Sequence, residues 1–232
     1  MTTTLQNAVR KEEGFTLVEL AVVMIIIGLL VGGILKGQEM IANAQVTSTV
    51  AQYKAVDGAV GTFVDVYNGF PGDILTPGTR ITNCAGACNV DGNANGHLDN
   101  SPLAAAGGEE TAFFLQLAAA DLVTGVTPAN NFLDGSIRGT KWRPGWVDGT
   151  VALGDLASPH AGNYLSLTAA SGFANAGLTP LEAARMDRKI DDGVANTGSA
   201  GAGGDGATCS AAGVYAEART QDSCRLVVRI NG

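Results

Sequence analysis

The chain has few of the residues that catalytic and nucleic-acid sites commonly use. Charged residues make up 16% of its 232 residues, there are two histidines, His97 and His160, and the net charge is −8. Binding to phosphates needs a basic stripe, and the sequence contains none, so no nucleic-acid partner is expected. It also lacks G-x-S-x-G, H-E-x-x-H and a glycine-rich nucleotide fingerprint. We therefore expect no enzymatic activity.

Cysteine is also scarce, and no C-x-x-C pair is present. The four cysteines are Cys84, Cys88, Cys209 and Cys224. Without a C-x-x-C pair a zinc site is disfavoured, and in an exported domain an even number of cysteines predicts two disulfides. Sequence spacing favours Cys84–Cys88 and Cys209–Cys224, although three pairings are open. Free buried cysteines are the alternative.

One long apolar segment contrasts with this background. From Phe15 to Leu35 the chain is almost entirely apolar over about one bilayer thickness, and its one acidic residue is Glu19. A lone carboxylate in such a segment is costly unless it has a partner, so Glu19 is a candidate functional residue. A secretory signal has its cleavage site after the apolar core, and the residues after Leu35 do not match one. We expect the segment to be retained and any cut to precede it.

The start of this segment resembles a known processing site. Gly14-Phe15-Thr16-Leu17-Val18-Glu19 is similar to the N-terminal motif of type IV pilins and type II secretion pseudopilins. The resemblance implies that a prepilin peptidase cuts after Gly14 and that the new N-terminal Phe15 is methylated. It also implies a partner for Glu19, namely the α-amino group of Phe15 in a neighbouring subunit. A buried ion pair of this kind can set the register between subunits.

The resemblance implies a structural subunit of a type IV pilus or a type II secretion pseudopilus, assembled with other pilin or pseudopilin subunits. Such a protein is single-pass in the inner membrane, with a periplasmic or extracellular domain, and lies in a filament once assembled. The alternative is a monomeric, membrane-anchored extracytoplasmic binding domain, with or without calcium dependence. Many type IV pilins have a proline near the position of Lys36, and this chain has none. A proline-linked melting of the helix is therefore not expected.

Together with the resemblance, the rest of the sequence implies an α+β, pilin-like fold, in which a long N-terminal helix packs on a small antiparallel sheet with elaborated loops. Apolar residues recur every three or four positions from Val46 to Tyr67, so the helix is expected to reach about Tyr67. The predicted organisation is a leader (1–14), a transmembrane and assembly helix (15–35), an amphipathic continuation (36–67) and an extracytoplasmic globular domain (68–232).

Several elements are expected in the globular domain. They are a loop to about Gly108, a helix over Glu109–Val123, a loop-rich region over 124–160, a strand over 163–168, a helix from an N-cap at Thr179 to about Ile190, a mobile low-complexity segment over 198–206 and a final strand over 224–230. We expect Trp142 and Trp146 to fill the core or pin a loop, and a binding platform is the alternative.

The sharpest candidate binding site is the segment Asp91–Asp99. It matches the first nine positions of an EF-hand calcium loop, with glycine at the sixth and a backbone carbonyl at the seventh, and its predicted ligands are Asp91, Asn93, Asn95, His97 and Asp99. Pro102 stands where the loop's glutamate is expected, so that carboxylate must come from elsewhere, and Glu109 and Glu110 are the nearest candidates. We expect a weak calcium site, and the alternative is an Asn/Gly-rich turn without metal.

Overall fold

The computed structural model describes residues 14–104, 107–150, 153, 160–172, 174–204 and 208–230, in two compact units, Met1–Asn43 and Ala44–Gly232. The helices are α1 (Leu17–Tyr67), α2 (Pro77–Arg80), α3 (Glu109–Ala119) and α4 (Pro180–Ile190), with a 3-10 turn at Gly86–Cys88. The strands are β1 (Thr140–Val147), β2 (Gly162–Ala169), β3 (Ala200–Gly204), β4 (Ser210–Ala211), β5 (Val214–Tyr215) and β6 (Cys224–Arg229).

The first unit contains the apolar part of α1. By length and composition α1 could cross a membrane, and its most apolar 18-residue window has a mean hydropathy of 2.7 with none of it buried. Leu17 and Leu29 expose 87% and 74% of their surface. Such a surface is stable in lipid or against other apolar helices rather than in water.

The second part of α1 belongs to the unit Ala44–Gly232 and supplies one side of its core. The predicted helical periodicity is confirmed, because the buried side chains include Val46, Val50, Tyr53, Val56, Val60 and Phe63. Tyr53 donates its hydroxyl to the Arg229 carbonyl at 2.7 Å, and Trp142 Nε1 donates to Gln52 Oε1 at 2.9 Å. These bonds join α1 to β6 and β1.

A four-stranded sheet packs against this part of the helix. Its order is β1-β2-β6-β3, with every neighbouring pair antiparallel, and β4 and β5 form a separate two-stranded sheet. The predicted strands over 163–168 and 224–230 are its two central strands. A long N-terminal helix on an antiparallel sheet is the predicted α+β, pilin-like fold.

Strand β1 was not predicted, because its Pro144 and Gly145 read as loop residues. In the structure β1 is an edge strand, and it pairs with β2 through Pro144↔Leu165. The flanking amides of Trp142 and Trp146 point away from β2 and donate to the carbonyls of Leu133 and Asn100. Pro144 lies midway between these two residues, so its backbone nitrogen also faces away from β2. The N–H that proline lacks therefore removes no hydrogen bond to β2.

Strand β3 corrects a second prediction, that residues 198–206 form a mobile segment; residues 205 and 206 lie outside the described part of the chain. Residues 200–204 pair with β6, and Ala200 and Ala202 are fully buried. The small side chains are required by packing, since a Cβ on Gly204 would lie 2.0 Å from the Ser223 carbonyl oxygen. Low complexity here reflects close packing rather than mobility.

Helices α3 and α4 begin where the sequence predicts. α4 opens on the predicted N-cap, with reciprocal hydrogen bonds between Thr179 and Glu182 that form a capping box. α3 ends four residues before the predicted Val123. Asp121 has a positive φ of 59°, and the amide of Leu122 donates to the Leu117 carbonyl at 3.0 Å. This is a Schellman ending in which aspartate replaces the usual glycine, so the end of α3 had no clear signal in the sequence.

Candidate functional site

The start of α1 is the first candidate site. Residues 1–13, which come before it and include most of the predicted leader, lie outside the described part of the chain. Thr16 precedes the helix and accepts the Glu19 amide on its hydroxyl at 3.2 Å. Glu19 Oε2 accepts the Thr16 amide at 2.9 Å and the Thr16 hydroxyl at 2.8 Å. The two residues therefore form a capping box at the first turn.

This capping box gives Glu19 a role within one chain, in addition to the role expected for it with a second subunit. Within one chain the carboxylate already satisfies the Thr16 donors and lies at the positive end of the helix dipole. The T-x-x-E spacing carried the signal for this local role. Phe15 precedes Thr16 of the capping box and is 82% exposed. A side chain at position 14 would also be unobstructed, because a Cβ placed on Gly14 would have no neighbour within 4 Å.

The second candidate site is the predicted calcium loop, which folds around Asp73. This side chain is 1% exposed, and its two carboxylate oxygens accept the amides of Asn93 and Gly96 at 3.1 and 2.6 Å. The Asp73 carbonyl accepts the amide of Ala94 at 3.0 Å. The close approach of the loop to Asp73 requires glycine at position 92, because a Cβ on Gly92 would lie 2.3 Å from the Asp73 backbone.

Most predicted ligands of this loop are engaged in short local bonds. Asp91 Oδ1 accepts the Thr76 amide at 3.0 Å, and the amide oxygens of Asn93 and Asn95 accept backbone N–H groups two residues ahead. Asn93 Nδ2 donates to Asp99 Oδ1 at 3.1 Å. The His97 ring stacks on Trp146 with centroids 4.2 Å apart. Among the described residues, no three His, Cys, Asp or Glu side chains are already arranged to hold a metal.

Glu109, at the first turn of α3, joins this loop. Its side chain is 2% exposed, and its Oε1 accepts the Asn93 amide at 3.0 Å. Its Oε2 is buried without a hydrogen-bond partner. Burial raises the pKa of Glu109 to about 7, the bond from Asn93 opposes this rise, and the charges of Asp99, Asp73 and Glu110 add to it.

The neighbouring Glu110 is equally buried but fully engaged. Its side chain is 1% exposed, Oε1 accepts the Asn100 amide at 2.6 Å, and Oε2 accepts Asn100 Nδ2 and the Gly107 amide. The carboxylates of Glu109 and Glu110 therefore differ in their hydrogen bonding: both oxygens of Glu110 have donors, whereas Oε2 of Glu109 has none among the described residues.

Two residues that hold the loop were not among the predicted site residues. They are Asp73, described above, and Asn163 of β2, which accepts the Leu98 amide at 3.2 Å and donates to the Gly96 carbonyl at 3.1 Å. Asp73 had one signal, the sequence Pro71-Gly72-Asp73 at the end of the long helix. Asn163 had none, since it lies within a strand pattern.

Both disulfides favoured by the sequence spacing are formed. Cys84 bonds to Cys88 and Cys209 bonds to Cys224, with Cα atoms 5.2 and 5.0 Å apart. The first closes the loop after α2, and the second ties the segment after β3 to the start of β6. Trp142 is fully buried in the core, as expected, and Trp146 is half-buried against His97.

The fold and the N-terminal site define a protein with an apolar, exposed helix at one end and a disulfide-bonded α+β domain after it. Residues 9–35 match the prokaryotic N-terminal methylation motif. This motif marks the type IV pilin and pseudopilin family, and its match lies at the N-terminal end of the chain. No curated protein and no solved structure matches the chain.

Proposed function

We propose that the chain is a structural subunit of a type IV pilus or a type II secretion pseudopilus, cut after Gly14 and assembled through its N-terminal helix. One observation carries the proposal: the N-terminal methylation motif at residues 9–35 coincides with the start of an apolar helix whose side chains are exposed. Proteins of this family are generally structural rather than enzymatic.

The motif implies processing by a prepilin peptidase and filament assembly in general, and the apolar helix suits membrane anchoring before assembly. We place the anchor in the inner membrane and the domain on the periplasmic side. The two disulfides support this placement, since disulfides persist in oxidising compartments.

Glu19 is the proposed assembly residue. A cut after Gly14 creates a positive amine at Phe15, next to Thr16, whose amide and hydroxyl bind the Glu19 carboxylate. In a bundle of such helices, the carboxylate of one subunit and the amine of the next neutralise each other in an apolar surrounding where either alone is costly. The capping box fixes the rotamer in which Glu19 is presented.

The processing step is tested by mass spectrometry of the protein purified from membranes of a host that expresses a prepilin peptidase. We expect an N-terminus at Phe15 carrying a methyl group. Replacing Gly14 with a bulkier residue should leave the leader attached. An intact Met1 in the unsubstituted protein, or a cut beyond Leu35, would contradict the proposal.

The role of Glu19 is tested by cross-linking of subunits in membranes and sheared filaments. Glu19→Ala should leave membrane insertion intact and lower incorporation at least about tenfold, the loss expected when a buried charge is left unpaired. Glu19→Gln retains a capping acceptor without the charge and should be as defective. Glu39→Gln, on the same exposed helix, is the control and should assemble normally.

Normal incorporation of Glu19→Gln would assign Glu19 to capping alone and remove the proposed ion pair. If the unsubstituted chain stays monomeric in membranes that hold the assembly machinery, the filament proposal fails. The chain would then be a membrane-anchored binding domain.

A further inference from the structure

Among the described residues, two buried side-chain polar atoms lack a hydrogen-bond partner, Glu109 Oε2 and Arg225 Nε, and Glu109 Oε2 is the one next to the predicted calcium loop. Glu109 is 2% exposed, and its Oε2 has no hydrogen-bond donor in reach. A buried carboxylate oxygen without a partner is destabilising, and such an atom in a native structure calls for an ion, a water or a proton. The neighbouring Glu110 shows that this part of α3 can satisfy a carboxylate completely.

The charged groups that act on Glu109 are all negative. They are Asp99, Asp73 and Glu110, and no lysine or arginine among the described residues offsets them. Asp73 already accepts two loop amides, and Asp99 receives only the Asn93 side-chain amide among its described bonds. A concentration of carboxylates with one vacant buried oxygen favours a positive ligand from solution over an internal ion pair.

The groups in contact with Glu109 and with its neighbour Asn93 indicate the kind of cation. Glu109, Asn93 and Asp99 form a chain of contacts: the Asn93 amide binds Glu109 Oε1 at 3.0 Å, and Asn93 Nδ2 binds Asp99 Oδ1 at 3.1 Å. The candidate donors are therefore carboxylate, amide and backbone oxygens. Ligands of this kind suit a hard cation of flexible geometry, which favours calcium over zinc and over the strictly octahedral magnesium.

We propose that calcium binds between the first turn of α3 and the loop Asp91–Asp99, with Glu109 Oε2 and Asp99 as the charged ligands. Amide and carbonyl oxygens of the loop and water complete the coordination, with the Asn93 side chain turning its oxygen inward. This site differs from an EF-hand loop, because the loop amides close on Asp73 and the decisive carboxylate comes from a helix. Two charged ligands give a weak site, with a dissociation constant of about 0.1–1 mM.

The test uses the full chain in detergent, unfolded thermally at pH 7.5 in EDTA and in about 5 mM calcium chloride. At ten times the dissociation constant we expect calcium to raise Tm by about 3–6 °C. Sodium chloride at matched ionic strength, and magnesium chloride, should give a much smaller rise. Isothermal titration calorimetry should detect binding directly.

Glu109→Gln keeps the shape of the side chain and should abolish both the rise in Tm and the heat of binding. Glu110→Gln is the matched control, because it is adjacent, equally buried and already hydrogen-bonded, and it should keep both. Near-ultraviolet circular dichroism confirms that each variant is folded.

An unchanged Tm in calcium and no heat of binding for the unsubstituted chain would overturn the proposal and assign Oε2 to a proton or water. A calcium response that persists in folded Glu109→Gln, or that is lost equally in Glu110→Gln, would also overturn it. An equal response to magnesium or sodium would reduce the effect to screening of surface charge.

Discussion

Asp187 of α4 is a fully buried acid held by neutral partners. Its carboxylate accepts the Tyr215 hydroxyl at 2.6 Å and the Gly193 amide at 3.3 Å. Burial raises its pKa, these two hydrogen bonds oppose the rise, and the charges of Asp192 and Asp191 add to it. The folded state therefore keeps a proton on Asp187 at a pH where the unfolded chain has released it.

This shift predicts how stability depends on pH. Asp187 contributes stability that is fully present below its unfolded pKa, about 3.9, and is lost as pH rises through the higher folded pKa. Urea unfolding between pH 4 and 8 should show this loss, and Asp187→Asn should reduce it.

Asp192 is the control with the opposite sign. Hydrogen bonds from Thr197 and then Val194 lower its pKa, so its contribution is present above the unfolded pKa and is lost on acidification. Asp192→Asn should therefore reduce the pH dependence of the free energy of unfolding only on the acid side of the profile. An Asp187→Asn variant with the pH profile of the unsubstituted chain would contradict the assignment.

At the same scale, local spacing predicted some contacts and could not predict others. Thr179 as an N-cap predicted the start of α4, whereas the T-x-x-E spacing from Thr16 to Glu19, which indicates a capping box, was missed. Glu109 was named as a carboxylate near the loop because it is close in sequence. Asn163 lies 65 residues from its partner Leu98, and a pairing of that range depends on the tertiary fold.

Among the elements, the two disulfides differ in what they hold. Cys209–Cys224 spans 15 residues and joins the segment after β3 to β6, whereas Cys84–Cys88 spans four residues within one loop. A cross-link restricts the unfolded chain more when it closes a longer loop.

We therefore expect Cys209→Ala/Cys224→Ala to lower the free energy of unfolding by about 3 kcal/mol, and Cys84→Ala/Cys88→Ala by about 2 kcal/mol or less. Chemical denaturation of both double variants measures the two losses. Because Cys209 and Cys224 are fully buried, the first variant also leaves small cavities that increase its loss. Equal losses, or a larger loss for Cys84/Cys88, would show that chain restriction is not the main effect.

The two strands of the four-stranded sheet that were not predicted, β1 and β3, share a physical cause. β1 contains Pro144 and β3 is made of alanine and glycine, so neither has the alternating large side chains that identify a strand. Their strand conformation depends on the neighbouring strands. β1 pairs with β2, and β3 pairs with β6, which also pairs with β2. Strands β2 and β6 themselves carry large apolar residues, and both were predicted.

At the scale of the whole molecule, the long helix of the α+β fold could be predicted because apolar residues recur at helical spacing over a long stretch of α1. The described core begins at Val46 and includes no residue of the first unit. The apolar residues before it are exposed in the single chain. Solubility and folding should therefore depend on different parts of the sequence.

A chain beginning at Ala44 should be soluble without detergent and unfold cooperatively, whereas the full chain should sediment with membranes. Ultracentrifugation and thermal circular dichroism measure both properties. Restoring residues 15–43 should return the protein to the membrane fraction. Aggregation of the shorter chain, or a loss of its cooperative unfolding, would show that the apolar half of α1 is required for the core.

The covered edges of the sheet have a consequence for the proposed filament. Outward amides of β1 donate to Leu133 and Asn100, and the Ala202 amide of β3 donates to Ala195. Open strand edges recruit other chains and lead to amyloid-like fibres. Because these edges are already bonded, crowded copies of the domain lack a ready template for strand exchange, and contacts between subunits of the proposed filament would be made by the helices.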